Sequence, residues 1–263
     1  MCLILFAYHI HPDYPLVLAA NRDEYYRRPT RPLEFWPDAQ DILAGRDLEA
    51  KGTWLGIARN GRLAALTNLR TTSVPLTDAP SRGDLVRGFL AGTDSPETYL
   101  RRIKTIGHRY NGFNLIVGNS RHLFYCSNQG TAFHRFIPGV YGISTCLLGT
   151  EWPKIVKGKA SLSDRISGGT APRAEDLFQI LEDRAFPPDK DIPSTGLDRN
   201  WERTLSPLFI ESGAYGTRSS SVILVGRTGR VTFAERTFRK GKSGSSVHET
   251  REFELEIEDP SPG

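Results

Sequence analysis

Two stretches near the start, Cys2-Leu3-Ile4-Leu5-Phe6-Ala7-Tyr8 and Leu16-Val17-Leu18-Ala19-Ala20-Asn21-Arg22-Asp23-Glu24, decide how this chain folds. The first is an apolar run of strand length. The second is apolar over Leu16–Ala20 and then turns abruptly into four consecutive polar residues. Thr53–Ala58 and Leu63–Thr67 read as two more strands, separated by Arg59-Asn60-Gly61-Arg62. Asn-Gly between two apolar runs is the strongest short-range signal for a β-hairpin. The chain therefore opens as an antiparallel layer whose strands are largely buried.

Outward from that layer the periodicity changes. Ser81 is placed to cap a helix over Gly83–Ala91, with Leu85, Val86, Phe89 and Leu90 on one face. Ser95-Pro96-Glu97 starts a second helix over Pro96–Lys104, with Pro at the first helical position and an acid after it. Strands resume at Asn114–Val117, Leu123–Cys126 and Thr131–Arg135, and helices at about Glu151–Ser167 and Ala174–Arg184. Phe186–Asn200, rich in Pro and Asp, reads as a long surface loop. Strands at Ser221–Val225, Val231–Arg236 and Val247–Ile257 close the chain, with turns at Gly226–Gly229 and Gly241–Ser246. This order lacks the strict alternation of a parallel α/β protein. It fits an α+β fold in which two antiparallel sheets stack between helical layers. With no internal repeat or break in composition, one domain over 1–258 is expected, followed by a frayed tail at 259–263.

Composition narrows the function. The chain has 263 residues, 38% of them hydrophobic, enough for a sizeable core. Apolar runs fall short of a membrane-spanning helix, and Met1–Ile10 lacks the basic flank and cleavage site of a signal peptide. Three cysteines, Cys2, Cys126 and Cys146, are too few for a disulfide framework, so a reducing, cytoplasmic setting is expected. The net charge is +4 and the basic residues are 26 Arg against 8 Lys. No basic-aromatic motif accompanies that charge, which argues against a nucleic-acid partner. His9 and His11 lack a third ligand, and His108, His122, His134 and His248 show no ligand spacing, so neither a metal nor another cofactor is expected.

Cys2 is the residue that points to chemistry. Small second residues generally allow Met1 to be removed, which makes Cys2 the amino terminus. Its α-amine, with an ordinary pKa of about 7.7–8.0, then sits beside a thiol of about 8.5, so proton transfer between them is nearly balanced. A nucleophile of this kind carries its own base. The alternative is a small hydrophobe that begins a strand. Arg22 and Asp23, at the end of the neighbouring strand, can orient a thiolate and an ammonium and tune both.

Six motifs carry a resemblance: Met1-Cys2, Asn21-Arg22-Asp23-Glu24, Gly52-Thr53-Trp54-Leu55-Gly56, Ala64-Ala65-Leu66-Thr67-Asn68, Tyr110-Asn111-Gly112-Phe113-Asn114-Leu115 and Tyr215-Gly216-Thr217-Arg218-Ser219-Ser220. Together they resemble the NRDE family, that of transport and Golgi organisation protein 2. The resemblance implies a four-layer αββα sandwich like that of N-terminal-nucleophile hydrolases. Mechanistic relatives would be the cysteine amidases that act on conjugated bile salts and penicillin V. It implies Cys2 as nucleophile, Asp23 as the acid that orients its amine, and Asn21 and Arg22 beside them. Asn68 would be an oxyanion donor and Arg218 the last catalytic Arg. Glu24, Trp54, Asn114, Ser144, Tyr215, Thr217 and Ser219 are the expected substrate contacts. The chain departs from those amidases at two places. Ala20 stands where they have Arg, and Ser144-Thr145 where their second oxyanion Asn would fall.

Two function classes follow. One is a hydrolase of a small amide through a thioester on Cys2. The other is a non-catalytic protein that handles a lipid, an acyl thioester or a haem-like ligand, in support of lipid homeostasis, secretion or Golgi organisation. For eukaryotic relatives the resemblance also implies association with Golgi or mitochondria. No Cys-x-x-Cys-His motif for haem occurs. Arg236, Arg239, Lys240 and Lys242 form an expected basic hairpin tip, a soluble loop with at most weak attraction to an anionic membrane surface. Oligomeric state is not legible.

Overall fold

A computed structural model describes residues 2–71, 74–130, 133–240 and 246–257. Among the described residues, thirteen strands and five α-helices follow one another as β1 (Cys2–Tyr8), β2 (Leu16–Tyr25), β3 (Thr30–Trp36), β4 (Ala39–Asp47), β5 (Leu55–Ala58), β6 (Leu63–Asn68), α1 (Gly83–Leu90), α2 (Pro96–Ile106), β7 (Phe113–Gly118), β8 (Leu123–Ser127), β9 (His134–Arg135), β10 (Gly139–Ile143), α3 (Pro153–Ser167), α4 (Ala174–Leu181), α5 (Arg199–Thr204), β11 (Tyr215–Val225), β12 (Arg230–Lys240) and β13 (Ser246–Glu256). They build two antiparallel sheets, ordered β10-β1-β2-β11-β12-β13 and β3-β4-β5-β6-β7-β8-β9. Helices α3 and α4 pack on the first sheet, and α1 and α2 on the second. The result is the αββα sandwich that the sequence implied.

Three apolar layers hold it together, and they explain why β1 and β2 read as unbroken runs. Leu3, Leu5, Ala7, Val17 and Ala19 face the α3–α4 layer. Ile4, Phe6, Tyr8, Leu16, Leu18 and Ala20 face the other sheet. A strand buried on both faces has no polar alternation to show. Gly158 of α3 allows close packing on β1, because a Cβ there would stand 2.6 Å from Leu5 Cδ1. On the far side, Val86, Phe89, Leu100 and Ile103 cover Leu115 and Val117 of β7.

Several elements differ from the sequence reading. β3 and β4 are absent from it because Pro32 and scattered polar residues break the apolar pattern. β3 is an edge strand whose pairing shifts between Arg31 and Glu34, and both settings tolerate Pro. β10, with Gly139 and Gly142, is likewise missing from the reading. β2 and β11 extend well beyond their apolar halves into polar residues, and that extension builds the site. The stretch Phe186–Asn200 gives way to α5, whose N-cap Asp198 accepts from the Asn200 and Trp201 amides. Arg82 rather than Ser81 is the N-cap of α1, while Ser81 Oγ accepts from the Gly83 amide. Arg236 is not part of a solvated tip. It is buried, donating to Glu182 at 2.8 Å and to Glu175 at 2.7 Å with its guanidinium over the Phe178 ring. Lys242, the turn core 241–245, and the tail 259–263 lie outside the described residues.

Candidate active site

Cys2 begins β1 and pairs with Arg22 of β2. Side chains of even-numbered residues in both strands face the opposing sheet, so Cys2 and Arg22 project into the space between the sheets. A cavity of about 480 Å3 opens there. Its walls include Cys2, Arg22, Asp23, Glu24, Trp54 and Asn68, together with Arg28, Asp47, Glu49, Thr53, Ser81, Arg82 and Asn111. Arg22 is buried, 4.2 Å above the Trp54 ring, donates to Thr30 Oγ1 at 3.1 Å and lies 3.8 Å from Asp47. Asp47 also accepts from Arg28 at 2.7 Å and from the Glu49 and Ala50 amides. Burial pushes its carboxyl upward, but these bonds outweigh that and hold it below the usual carboxylate range.

Asp23 is anchored from the other side. Its Oδ1 accepts from Thr217 Oγ1 at 2.7 Å, and Tyr215 OH donates to its backbone carbonyl at 3.0 Å. Burial raises its pKa, against the pull of the Lys154 ammonium, the Thr217 hydroxyl and Arg22. Lys154 itself is buried and donates to Leu205 O at 2.9 Å; burial presses its pKa down. The Cys2 thiol is raised by burial and by the Asp23 charge, with Arg22 acting in the opposite sense.

A β-bulge completes the frame. Thr217 pairs with Asp23 and Ser219 with Arg22, so Arg218 is an extra residue in β11. Arg218 projects outside the cavity and Nη1 donates to the carbonyls of Tyr25, Tyr26 and Arg28, closing the turn after β2. Another close approach brings α1 to the cavity rim. Gly52 passes the backbone of Gly83 so tightly that a Cβ would stand 2.5 Å from Gly83 C.

Of the residues singled out in the sequence, the cavity gathers Cys2, Arg22, Asp23, Glu24, Trp54 and Asn68. The others support it from behind. Asn21 faces the helices, donating to Leu181 O and Leu208 O and accepting from Ser220. Asn114 is buried between Thr67, Ser144 O, Cys146 O and Tyr125 OH. Ser144 Oγ donates to Cys2 O at 3.1 Å. Thr217 and Tyr215 brace Asp23, and Ser219 is buried beside the acid Glu235 of β12. Asn68 is different: its amide makes no protein hydrogen bond among the described residues and is available to a ligand. Sequence reasoning missed Arg28, Asp47, Glu49, Arg82 and Asn111. Asp47 and Glu49 lie at the end of the unrecognised β4, but Asn111 and Arg82 had signals. The first lies in a quoted motif and the second follows a helix-start Ser.

Residues 1–240 match the Transport and Golgi organisation 2 family. The Transport and Golgi organization 2 homolog of Mus musculus is 35% identical over 97% of this chain and 100% of its own. That of Homo sapiens is 34% identical over 98% and 100%, and the protein of Drosophila melanogaster 30% over 90% and 92%. Among solved structures, a mutant conjugated bile acid hydrolase from Clostridium perfringens has a TM-score of 0.51 with 9% identity, covering 99% of this chain and 100% of that one. That likeness concerns the fold alone, a sandwich of two antiparallel sheets between helical layers. The chain belongs to the Transport and Golgi organisation 2 family.

Proposed function

We propose that this family member is a cysteine amidohydrolase that cleaves the carbon–nitrogen bond of a small amide through a thioester on Cys2. The observation that carries the reading is the seat of Cys2. It begins a central strand, in a polar cavity shared with Arg22, Asp23 and an unengaged Asn68 amide. Once Met1 is removed, the Cys2 α-amine takes the thiol proton as sulfur adds to the amide carbon. The new C–S bond leaves charge on the carbonyl oxygen, to which Asn68 donates. Collapse breaks the C–N bond, and the ammonium returns its proton to the leaving amine. Water then adds to the thioester with the amine as base, releasing a carboxylic acid and restoring the thiol. Asp23 orients the ammonium and Arg22 the sulfur. Residues 1–258 act in this reading as one domain, in a reducing, cytoplasmic setting that suits the three free cysteines.

The intact mass of untagged protein, before and after an acid-quenched reaction with hexanoyl p-nitroanilide, tests this. Loss of Met1 and a hexanoyl increment on Cys2, absent from Cys2→Ala, are expected. Retention of Met1, or p-nitroaniline release undiminished in Cys2→Ala, refutes it.

One observation favours a second reading, a carrier of a lipid, an acyl thioester or a haem-like ligand that serves lipid homeostasis or membrane traffic. At the second oxyanion position the Ser144 hydroxyl is spent on Cys2 O. Losing one such donor commonly lowers a rate by about 10²–10³. A carrier keeps its function in Cys2→Ala.

A further inference from the structure

The cavity holds three arginines, and their partners differ. Arg22 and Arg28 both lie against Asp47, and Arg28 also reaches Glu24 at 3.8 Å and Glu49 at 3.4 Å. Arg82, at the N-terminal edge of α1, has no carboxylate within salt-bridge distance among the described residues. Among the described residues its single hydrogen bond runs from Nη1 to Gly112 O at 3.0 Å, and the remaining guanidinium N–H groups meet no acceptor there. Glu24 is the acid in its electrostatic reach, but Glu24 is committed to Arg28 and to the Tyr25 amide. A half-buried guanidinium with spare donors facing a cavity is a binding group for an anion. Arg22 and Arg28 are outnumbered by Asp47, Glu24 and Glu49 and add no positive charge, so Arg82 alone matches a monoanion better than a phosphate dianion. The planar fork of a guanidinium takes a carboxylate through two parallel bonds.

We propose that Arg82 receives a carboxylate of the ligand, which makes the substrate class a carboxylate-bearing amide. Arg82 thereby sets specificity: it anchors the charged end of the molecule in the same cavity that presents the Cys2 sulfur. This rests on the cavity being a ligand site, as in the proposed function, but not on turnover. A neutral side chain at position 82 removes the preference for anions and leaves the nucleophile in place.

Alkylation of Cys2 by iodoacetate and by iodoacetamide, followed by peptide mapping, tests the proposal without any substrate. Both reagents form the same C–S bond and expel iodide from a thiolate, so the ratio of their rates cancels the thiol's own ionisation. One reagent is a carboxylate and the other neutral. The iodoacetate-to-iodoacetamide ratio at Cys2 should exceed that of N-acetylcysteinamide by about fivefold. Arg82→Gln should bring it back to within about twofold, and Arg82→Lys, a point charge without the fork, should fall between. Sodium acetate at constant ionic strength should slow the iodoacetate reaction of the wild-type protein and spare the iodoacetamide one, which keeps the test open if the variants do not fold. A wild-type ratio equal to the reference thiol, a ratio unchanged in Arg82→Gln, or a Cys2 inert to both reagents overturns the proposal. Failure of the amidase reading leaves these ratios untouched, because no amide is cleaved in the assay.

Discussion

Asn114→Leu separates a structural role from a binding one. The Asn114 amide nitrogen lies 3.0 Å from Thr67 Oγ1, 3.1 Å from Ser144 O and 2.9 Å from Cys146 O, and its oxygen accepts from Tyr125 OH at 2.7 Å. Two amide hydrogens satisfy two of those three acceptors at a time, so the side chain completes about three bonds in all. Each is worth about 1 kcal/mol net, and a buried partner left unmade costs about 1–3 kcal/mol. Leucine fills the volume but strands Cys146 O and the proton of the Tyr125 hydroxyl, while Ser144 O keeps its bond from Thr67 Oγ1. The expected loss is about 3–5 kcal/mol, against a typical total of about 5–15 kcal/mol. Urea unfolding followed by tryptophan fluorescence measures it, with an unchanged m-value as the check that the unfolded state is unaltered. Under conditions where the variant is still folded, Cys2 should react with iodoacetamide at the wild-type rate within about twofold, since Asn114 is buried behind the cavity wall. A stability loss below about 1 kcal/mol, or a Cys2 rate that collapses while the protein stays folded, refutes the assignment.

Two predictions concern protons. Burial raises the Cys2 thiol above its ordinary value, so its thiolate fraction is reduced at neutral pH. Its rate with iodoacetamide should climb about tenfold per pH unit and continue rising where N-acetylcysteinamide has levelled off; a plateau at or below that of the reference thiol contradicts it. Asp47 is held below the usual carboxylate range, so the folded state binds its proton less readily than the unfolded chain. Its stabilisation is complete above the unfolded pKa of about 3.9 and is lost as pH falls through the lower folded value. Asp47→Asn should therefore cost about 1–2 kcal/mol at pH 6 and progressively less below pH 4, measured as the difference in urea midpoints. A cost independent of pH would show that the charge is not what matters.

How far the sequence carried is clearest along single strands. Cys2–Tyr8 is legible to the residue, because a strand buried on both faces leaves an unbroken apolar run. β2 is legible only as far as Ala20. Asn21–Tyr25 continue the same ladder, but their side chains are chosen by the site and not by the core, so apolarity cannot mark them. The same holds for Tyr215–Ser220 of β11. The cavity residues found in advance, Cys2, Arg22, Asp23, Glu24, Trp54 and Asn68, all sit within quoted motifs. Arg28 and Asp47 need the pairing of β3 with β4, and nothing local in Thr30–Asp47 announces it. Arg82 depends on where α1 docks, which Gly52 and Gly83 decide by fitting backbone against backbone. Asn114, Thr217 and Tyr215 lie in motifs too, yet their side chains serve other residues. A motif marks the neighbourhood of a site and does not say which side chains reach the ligand.

The extra residue at Arg218 acts on β11 as a frameshift acts on a message. Side chains along a strand are read in twos, and one inserted residue changes the frame for everything after it. Downstream, Ile223 and Val225 fall to the inter-sheet core, and Val222 and Leu224 to the helix side. Upstream, Thr217 falls beneath Asp23, although it lies three positions from Ser220, which shares its face. In a bulge-free strand the frame that fills the core would turn Thr217 away from Asp23. With the shift in place, the two halves of β11 are composed in separate frames. The core half can be rewritten for packing without altering what supports the carboxylate, and the site half for chemistry without opening a hole in the core.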